Sequence, residues 1–217
     1  SVKESGRYIS CDPQVAYYST KLQTERLETL RFAKELRKEL NRPLAVCDPF
    51  CGVGPALSTL IAEDGLVGNI LASDLNVAAV ELLFENLQRW EKREYPTEST
   101  PIEQYYNDRI VGLADATKLS NNPNISGKWD LVLVNLPHRT IDFLPKLIPL
   151  LNRSNVSLIR GRVIVAESDI PSANEKINQI LPSIAVGKSK PELKIKRDYS
   201  STLRLCSFEA WIEKDTI

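Results

Sequence analysis

The order of residues predicts an α/β fold: a mostly parallel sheet with helices on both faces and an antiparallel hairpin at the C-terminus. Three observations predict it. Short apolar runs ending in a polar residue alternate with amphipathic stretches at helical spacing, the pattern of strand, crossover and parallel strand. A turn carrying Gly52 and Gly54 follows the first such run. The final segment, 193–212, switches to an alternation of period two, as closing antiparallel strands do.

Taken in order, residues 1–20 carry Tyr8, Tyr17 and Tyr18 without a clear period and are expected to form a docked arm. Residues 21–40 place Leu22, Leu27, Leu30, Phe32, Ala33, Leu36 and Leu40 at helical spacing. Strand 1 is expected over 44–47, a helix led by Pro55 over 55–62, strand 2 over 70–73, and a longer helix over 77–93 that begins beside Asn76. The Pro- and Ser/Thr-rich piece 95–101 reads as a surface loop. Strand 3 follows at 109–113, strand 4 at 131–134, a helix at 140–151, strand 5 at 162–166 and a helix at 172–180. The expected division is an arm and helix over 1–42 and one α/β domain over 43–217.

Composition narrows the class. With 217 residues, 42% hydrophobic and 26% charged, the chain suits a single α/β domain of ordinary size. No apolar run approaches the roughly 20 residues of a membrane span, and no signal pattern opens the chain, so a cytoplasmic protein without a membrane partner is expected. Cys11, Cys47, Cys51 and Cys206 show no metal-ligand spacing, so reduced thiols and no metal are expected. The chain begins at Ser1 and contains no Met, as expected of a piece of a longer protein. Net charge is zero, yet 188–204 holds six basic and two acidic residues, a net of +4, and 21–42 holds seven and four, a net of +3. Such runs can hold a phosphate backbone or simply face solvent.

The chemistry concentrates in Leu44-Ala-Val-Cys-Asp-Pro-Phe-Cys-Gly-Val-Gly-Pro55 and Ile70-Leu-Ala-Ser-Asp74. Glycines let the main chain approach a ligand, and an acid at the end of the second strand suits ribose hydroxyls. The glycine spacing is neither that of a dinucleotide fingerprint nor that of a triphosphate loop. Asp48, Asp74, Asp115 and Asn135 all fall at expected strand ends, the side on which parallel sheets bind ligands.

Asp48-Pro-Phe-Cys-Gly-Val-Gly54 resembles motif I of class I S-adenosylmethionine-dependent methyltransferases, which implies a Rossmann-like fold with a mostly parallel, seven-stranded sheet. Asn135-Leu-Pro137 resembles the Asn/Asp-Pro-Pro-Phe/Tyr turn of members that methylate amino groups or ring nitrogens. Together with Ser73-Asp-Leu-Asn76, Glu81-Leu-Leu83, Asn86, Phe143-Leu-Pro145, the upstream Tyr18-Ser-Thr-Lys-Leu-Gln-Thr-Glu-Arg-Leu27 and the basic Lys194-Ile-Lys-Arg-Asp-Tyr199, it is similar to the catalytic half of the archaeal and eukaryotic tRNA (guanine-37-N1)-methyltransferases. The sequence departs from that pattern at Pro49-Phe50-Cys51, as RNA N2-guanine methyltransferases do, at Lys21, which stands for an Arg, and at His138, expected on the pocket rim.

The resemblance implies S-adenosylmethionine as cofactor, tRNA as substrate, and an additional RNA-recognition domain or partner subunit. It implies Glu81 as general base for the N1 proton, Arg26 at guanine O6, and Asn135 and Pro137 shaping the base pocket. Asp74 would take the ribose hydroxyls, Asp115 the adenine amino group and the Gly52–Gly54 main chain the methionine end, with Asp48, Phe50, Leu75, Ala116 and Asn135 completing the cofactor contacts. The blander alternatives are a solvent-facing Glu81 and an Arg26 paired with a neighbouring carboxylate. Methylation of another RNA position or a wyosine-type base, aminocarboxypropyl transfer on the same scaffold, and an inactive RNA-docking subunit stay open at this stage.

Overall fold

The computed structural model describes residues 1–14 and 19–215, which pack as two compact units, Ser1–Ala116 and Thr117–Ile217. Tyr17 and Tyr18 lie outside the described residues.

The first unit opens with an antiparallel hairpin, β1 (Val2–Glu4) and β2 (Arg7–Ile9), where the arm was expected. Its turn places Ser5 and Gly6 at positive φ. Helix α1 (Gln23–Leu40) buries Phe32, Ala33 and Leu36 at helical spacing and ends on Asn41 in the left-handed region. Strands β3 (Leu44–Asp48), β4 (Val67–Asp74) and β6 (Arg109–Leu113) run parallel, and β5 (Glu103–Tyr106) pairs antiparallel with β6. The order within this unit is β5-β6-β4-β3. All five residues of β3 are buried, as a parallel strand covered on both faces requires. Helices α2 (Pro55–Ile61) and α3 (Val77–Glu91) supply the crossovers, with Leu83, Phe84 and Leu87 of α3 fully buried.

Strand β5 was not anticipated. Its sequence, Glu-Gln-Tyr-Tyr, is polar and at most half-buried, so no apolar alternation announces it. It is held by its tyrosines. Tyr105 packs edge-on against Phe84 at 5.5 Å between ring centres, and Tyr95 joins the same cluster while donating its hydroxyl to Glu91 at 2.7 Å. Glu91 also accepts from Arg109, an ion pair with both side chains under a tenth exposed. Burial and the Glu91 carboxylate push the Tyr95 hydroxyl well above its usual range.

The second unit contains β7 (Leu131–Val134), α4 (Thr140–Leu147), β8 (Ser157–Ala166), α5 (Ile170–Ile180), β9 (Lys194–Asp198) and β10 (Leu203–Ile212). Strands β7 and β8 are parallel, β10 runs antiparallel to β8, and β9 antiparallel to β10, which is the expected C-terminal hairpin. The helix expected over 140–151 ends at Leu147 and continues as a 3-10 turn over Ile148–Leu150, because Pro145 and Pro149 each lack an amide donor. Strand β8 starts five residues before the expected 162, the charged Arg160 having interrupted the apolar run there.

Candidate active site

Three carboxylates of the first unit stand at the C-terminal ends of adjacent parallel strands. Asp48 ends β3 and is 2% exposed, Asp74 ends β4, and Asp115 lies two residues past β6. Their spacing follows from register, because Asp48 pairs with Ala72 and Asp74 with Leu113. The Ala114 amide donates to the Asp74 carbonyl at 3.1 Å and the Cys51 amide to the Ser73 carbonyl at 3.1 Å, so main-chain bonds tie the three strand ends together. Asp115 and Phe50 are half-buried, Ala116 is buried, and Leu75 stands 72% exposed beside Asp74.

Asp74 does more than end a strand. Its Oδ2 accepts the Gly52 amide at 2.9 Å and its Oδ1 the Asn76 amide at 3.0 Å, so one carboxylate fixes both the glycine turn and the entry to α3. A carboxylate oxygen has a second lone pair, which leaves Asp74 able to accept from a ligand hydroxyl. Asn76 caps α3 by accepting the Ala79 amide at 3.3 Å. Gly54 adopts φ +84, and a Cβ there would stand 2.8 Å from Leu83 Cδ1, so at this position glycine is needed for the packing of α3.

Asn86 was quoted in the sequence without a role. It is fully buried on α3, accepts the Ser10 amide at 2.7 Å, and donates through Nδ2 to the carbonyls of Ser10 and Val53, both at 2.9 Å. It therefore joins the segment after the N-terminal hairpin to the glycine turn. A polar residue beside the apolar Leu83 and Leu87 was the signal available for it.

Glu81, on the second turn of α3, is half-buried and lines a cleft of about 450 Å³ with Asp12, Leu82, Glu85, Pro96 and Thr97. Among the described residues its carboxylate has no hydrogen bond or ion pair, whereas Glu85 on the same helix accepts from Ser10 and Arg89. Arg26 departs from its expected role. Its guanidinium is 3% exposed, pairs through Nε and Nη2 with both carboxylate oxygens of Glu4, and donates to the Ser19 carbonyl at 3.1 Å. It is a buried tie between the hairpin and α1, not a group presented to a base. The exposed cation of the same segment is Lys21.

In the second unit, Asn135, Leu136 and Pro137 follow β7 and are half-buried. Arg162 of β8 donates through Nη1 to Asn135 Oδ1 at 2.7 Å, and the Ile164 amide donates to the Pro137 carbonyl at 2.9 Å, so the turn is pinned by its neighbouring strand. His138 is exposed, with Nε2 3.3 Å from the Tyr199 hydroxyl. The net-basic C-terminal run is partly neutralised: Lys194 pairs with Glu209 at 2.8 Å, and Arg204 with Glu167 at 2.8 Å and Asp198 at 3.3 Å.

Strand-end carboxylates, an exposed leucine and a turn with free capacity on Asp74 suit a ligand carrying hydroxyls, an amino group and a flat apolar face. Residues 1–160 match the sequence family described as TRM5/TYW2 methyltransferase domain. Over 143 residues, 66% of this chain, it is 29% identical to the tRNA (guanine(37)-N(1))-methyltransferase of Paramecium tetraurelia, of which the match covers 31%. Over 154 residues, 71% of this chain, it is 28% identical to the tRNA (guanine(37)-N(1))-methyltransferase Trm5b of Pyrococcus abyssi, covering 38% of it. The chain thus spans about a third of the length of these curated relatives. Its fold is that of the crystal structures of M. jannaschii tRNA m1G37 methyltransferase, with a TM-score of 0.69 and 22% identity over 98% of this chain and 56% of that one, and of M. jannaschii TYW2 in complex with AdoMet, with a TM-score of 0.72 and 20% identity over 98% and 85%.

Proposed function

Because the chain belongs to the TRM5/TYW2 methyltransferase family, we propose that it transfers the methyl group of S-adenosylmethionine to N1 of a guanine in tRNA. The observation that carries this reading is Glu81: a half-buried carboxylate, without a partner among the described residues, on the wall of an open cleft of about 450 Å³ that none of the strand-end acids lines. The names of the curated relatives support the same substrate.

Guanine N1 is protonated at neutral pH, so its lone pair must be freed before it can attack. Glu81 accepts that proton. The electron pair left on N1 forms the new bond to carbon. S-adenosylmethionine supplies an electrophilic methyl whose bonding electrons leave with sulfur, so charge balances without a metal or an oxidant. Asp74 would accept hydrogen bonds from the ribose hydroxyls and Asp115 from the adenine amino group, while Asp48, Phe50, Gly52, Gly54, Leu75 and Ala116 would hold the remainder of the cofactor. Asn135 and Pro137 shape the acceptor, and Lys21, exposed where Arg26 is not, is the cation available for O6, where negative charge builds. A cytoplasmic location and a further RNA-recognition domain or partner subunit complete the proposal.

The test is incubation of the purified chain with S-adenosylmethionine and unmodified tRNA transcripts, followed by mapping of modified nucleosides by mass spectrometry. N1-methylguanosine is expected. N2-methylguanosine, an aminocarboxypropyl adduct, or cofactor binding with no product on any tRNA would each replace the reading.

A further inference from the structure

Strand register makes Asn135 and Arg162 neighbours. Val134 of β7 pairs with Gly161 of β8, and the next residue on each strand brings the amide of Asn135 to the guanidinium of Arg162, 2.7 Å from Nη1 to Oδ1. A guanidinium has donors only, so the atom facing it must be the amide oxygen, and the assignment of Oδ1 and Nδ2 follows from chemistry. The Asn135 amide is thereby fixed with its N–H₂ turned away from Arg162. Arg162 is 8% exposed and Asn135 half-buried, so the guanidinium side of the contact is shielded from competing water.

We propose that Arg162 is a positioning residue that makes Asn135 a hydrogen-bond donor toward the target base. An asparagine presenting its oxygen selects an exocyclic amino group, which donates. One presenting N–H₂ selects an atom with a lone pair, such as guanine O6. The turn is therefore set for a ring nitrogen next to a carbonyl and against methylation of an exocyclic amine. The positive charge on Arg162 draws electron density from the amide, so its donation strengthens as O6 becomes negative. This deepens the guanine N1 reading and rests on it.

The test compares Arg162→Met and Arg162→Gln with the wild-type chain on tRNA transcripts and on transcripts whose target guanosine is replaced by inosine, which keeps O6 and the N1 proton and lacks the amino group. In Arg162→Met, kcat is expected to fall roughly 10- to 100-fold. Cofactor Kd should stay within about twofold and the pH–rate curve should move up, because N1 gives up its proton less readily when O6 is less stabilised. Arg162→Gln, whose amide can still donate to Oδ1, should recover part of the loss, and inosine should remain a substrate. A kcat for Arg162→Met within twofold of wild type, an Arg162→Gln no better than Arg162→Met, or rejection of inosine would overturn the proposal. The ¹⁵N side-chain amide signal of Asn135, assigned by its loss in Asn135→Asp, gives a second readout. It should shift on Arg162→Gln and on Arg162→Met, and an unmoved signal overturns the proposal. If the wild-type chain methylates no guanine, the activity reading fails, and the amide signal still decides the orientation.

Discussion

The turn after β3 and the turn after β7 both end a buried parallel strand and both carry expected site residues, yet they are built differently. The first is shaped by backbone conformation, with one side chain, that of Asp74, accepting the Gly52 amide. Gly52 and Gly54 take positive φ, Pro55 starts α2, and amides of Gly52 and Cys51 are satisfied by residues at the end of β4. The second is held by a side chain: Asn135 is oriented by Arg162, 27 positions away on the neighbouring strand β8. A turn built from backbone requirements writes itself into local sequence as Gly, Pro and Asp. A turn held by a distant guanidinium leaves no local trace. Substitutions at Glu81, at Arg26 and Lys21, at Asp74 and at the two buried cysteines test how far this contrast extends.

The largest effect is expected at Glu81, the proposed general base, which belongs to the first unit. Glu81→Gln should slow methyl transfer by roughly two to four orders of magnitude with cofactor affinity unchanged, the signature of a lost general base. Single-turnover rates and calorimetry separate the two quantities. Wild-type turnover would remove Glu81 from the chemistry and leave the acceptor side wholly to the turn after β7.

Next in size is the pair Arg26 and Lys21, of which the sequence reading chose Arg26 for O6. Both are cations in one short segment, and only the three-dimensional contact with Glu4 tells them apart. Arg26→Ala strands a carboxylate that is 3% exposed, so it should destabilise the fold by about 3–5 kcal/mol, visible in denaturant titration. Lys21→Ala should leave that titration unchanged and lower turnover instead. The reverse pattern would return Arg26 to the base.

This pair shows what was legible. Strand 3 at 109–113, strand 4 at 131–134, the glycine turn and the acids at strand ends were readable, because apolar runs and glycine requirements act over a few residues. The N-terminal hairpin, β5 and the early start of β8 were not, because three-residue strands, a tyrosine-rich edge and buried arginines owe their places to partners far along the chain. The Glu4–Arg26, Asn86–Val53 and Arg162–Asn135 contacts are of the same kind, with separations of 22, 33 and 27 residues.

A smaller effect is expected at Asp74, and it probes the main-chain turn directly. Asp74→Ala removes the acceptor of the Gly52 and Asn76 amides as well as the proposed ribose contact. A hydrogen bond to a charged group contributes about 1.5–3 kcal/mol, so cofactor affinity should weaken roughly 10- to 150-fold. Asp74→Asn, which keeps one oxygen, should lose less. Equal losses in the two variants would mean that charge, not loop geometry, is what Asp74 supplies.

The smallest effect concerns the thiols enclosed by that same turn. Burial pushes the Cys47 and Cys51 thiols well up, and the Asp48 carboxylate adds to both, with Asp74 contributing at Cys51. A group whose folded pKa is raised adds stability while the unfolded chain is also protonated, and that stability is lost as pH climbs above the ordinary thiol range, where only the unfolded chain ionises. Near neutral pH the two cysteines should therefore be silent and unreactive. Over the first half pH unit above the thiol range they should lower stability by roughly 1 kcal/mol together, since each proton is linked to about 1.4 kcal/mol per pH unit. A Cys47→Ala, Cys51→Ala double variant should show a flatter alkaline limb in denaturant titrations than the wild-type chain. Identical limbs would mean that the turn opens enough for its thiols to ionise in the folded state, and the contrast with the turn after β7 would lose its basis in rigidity.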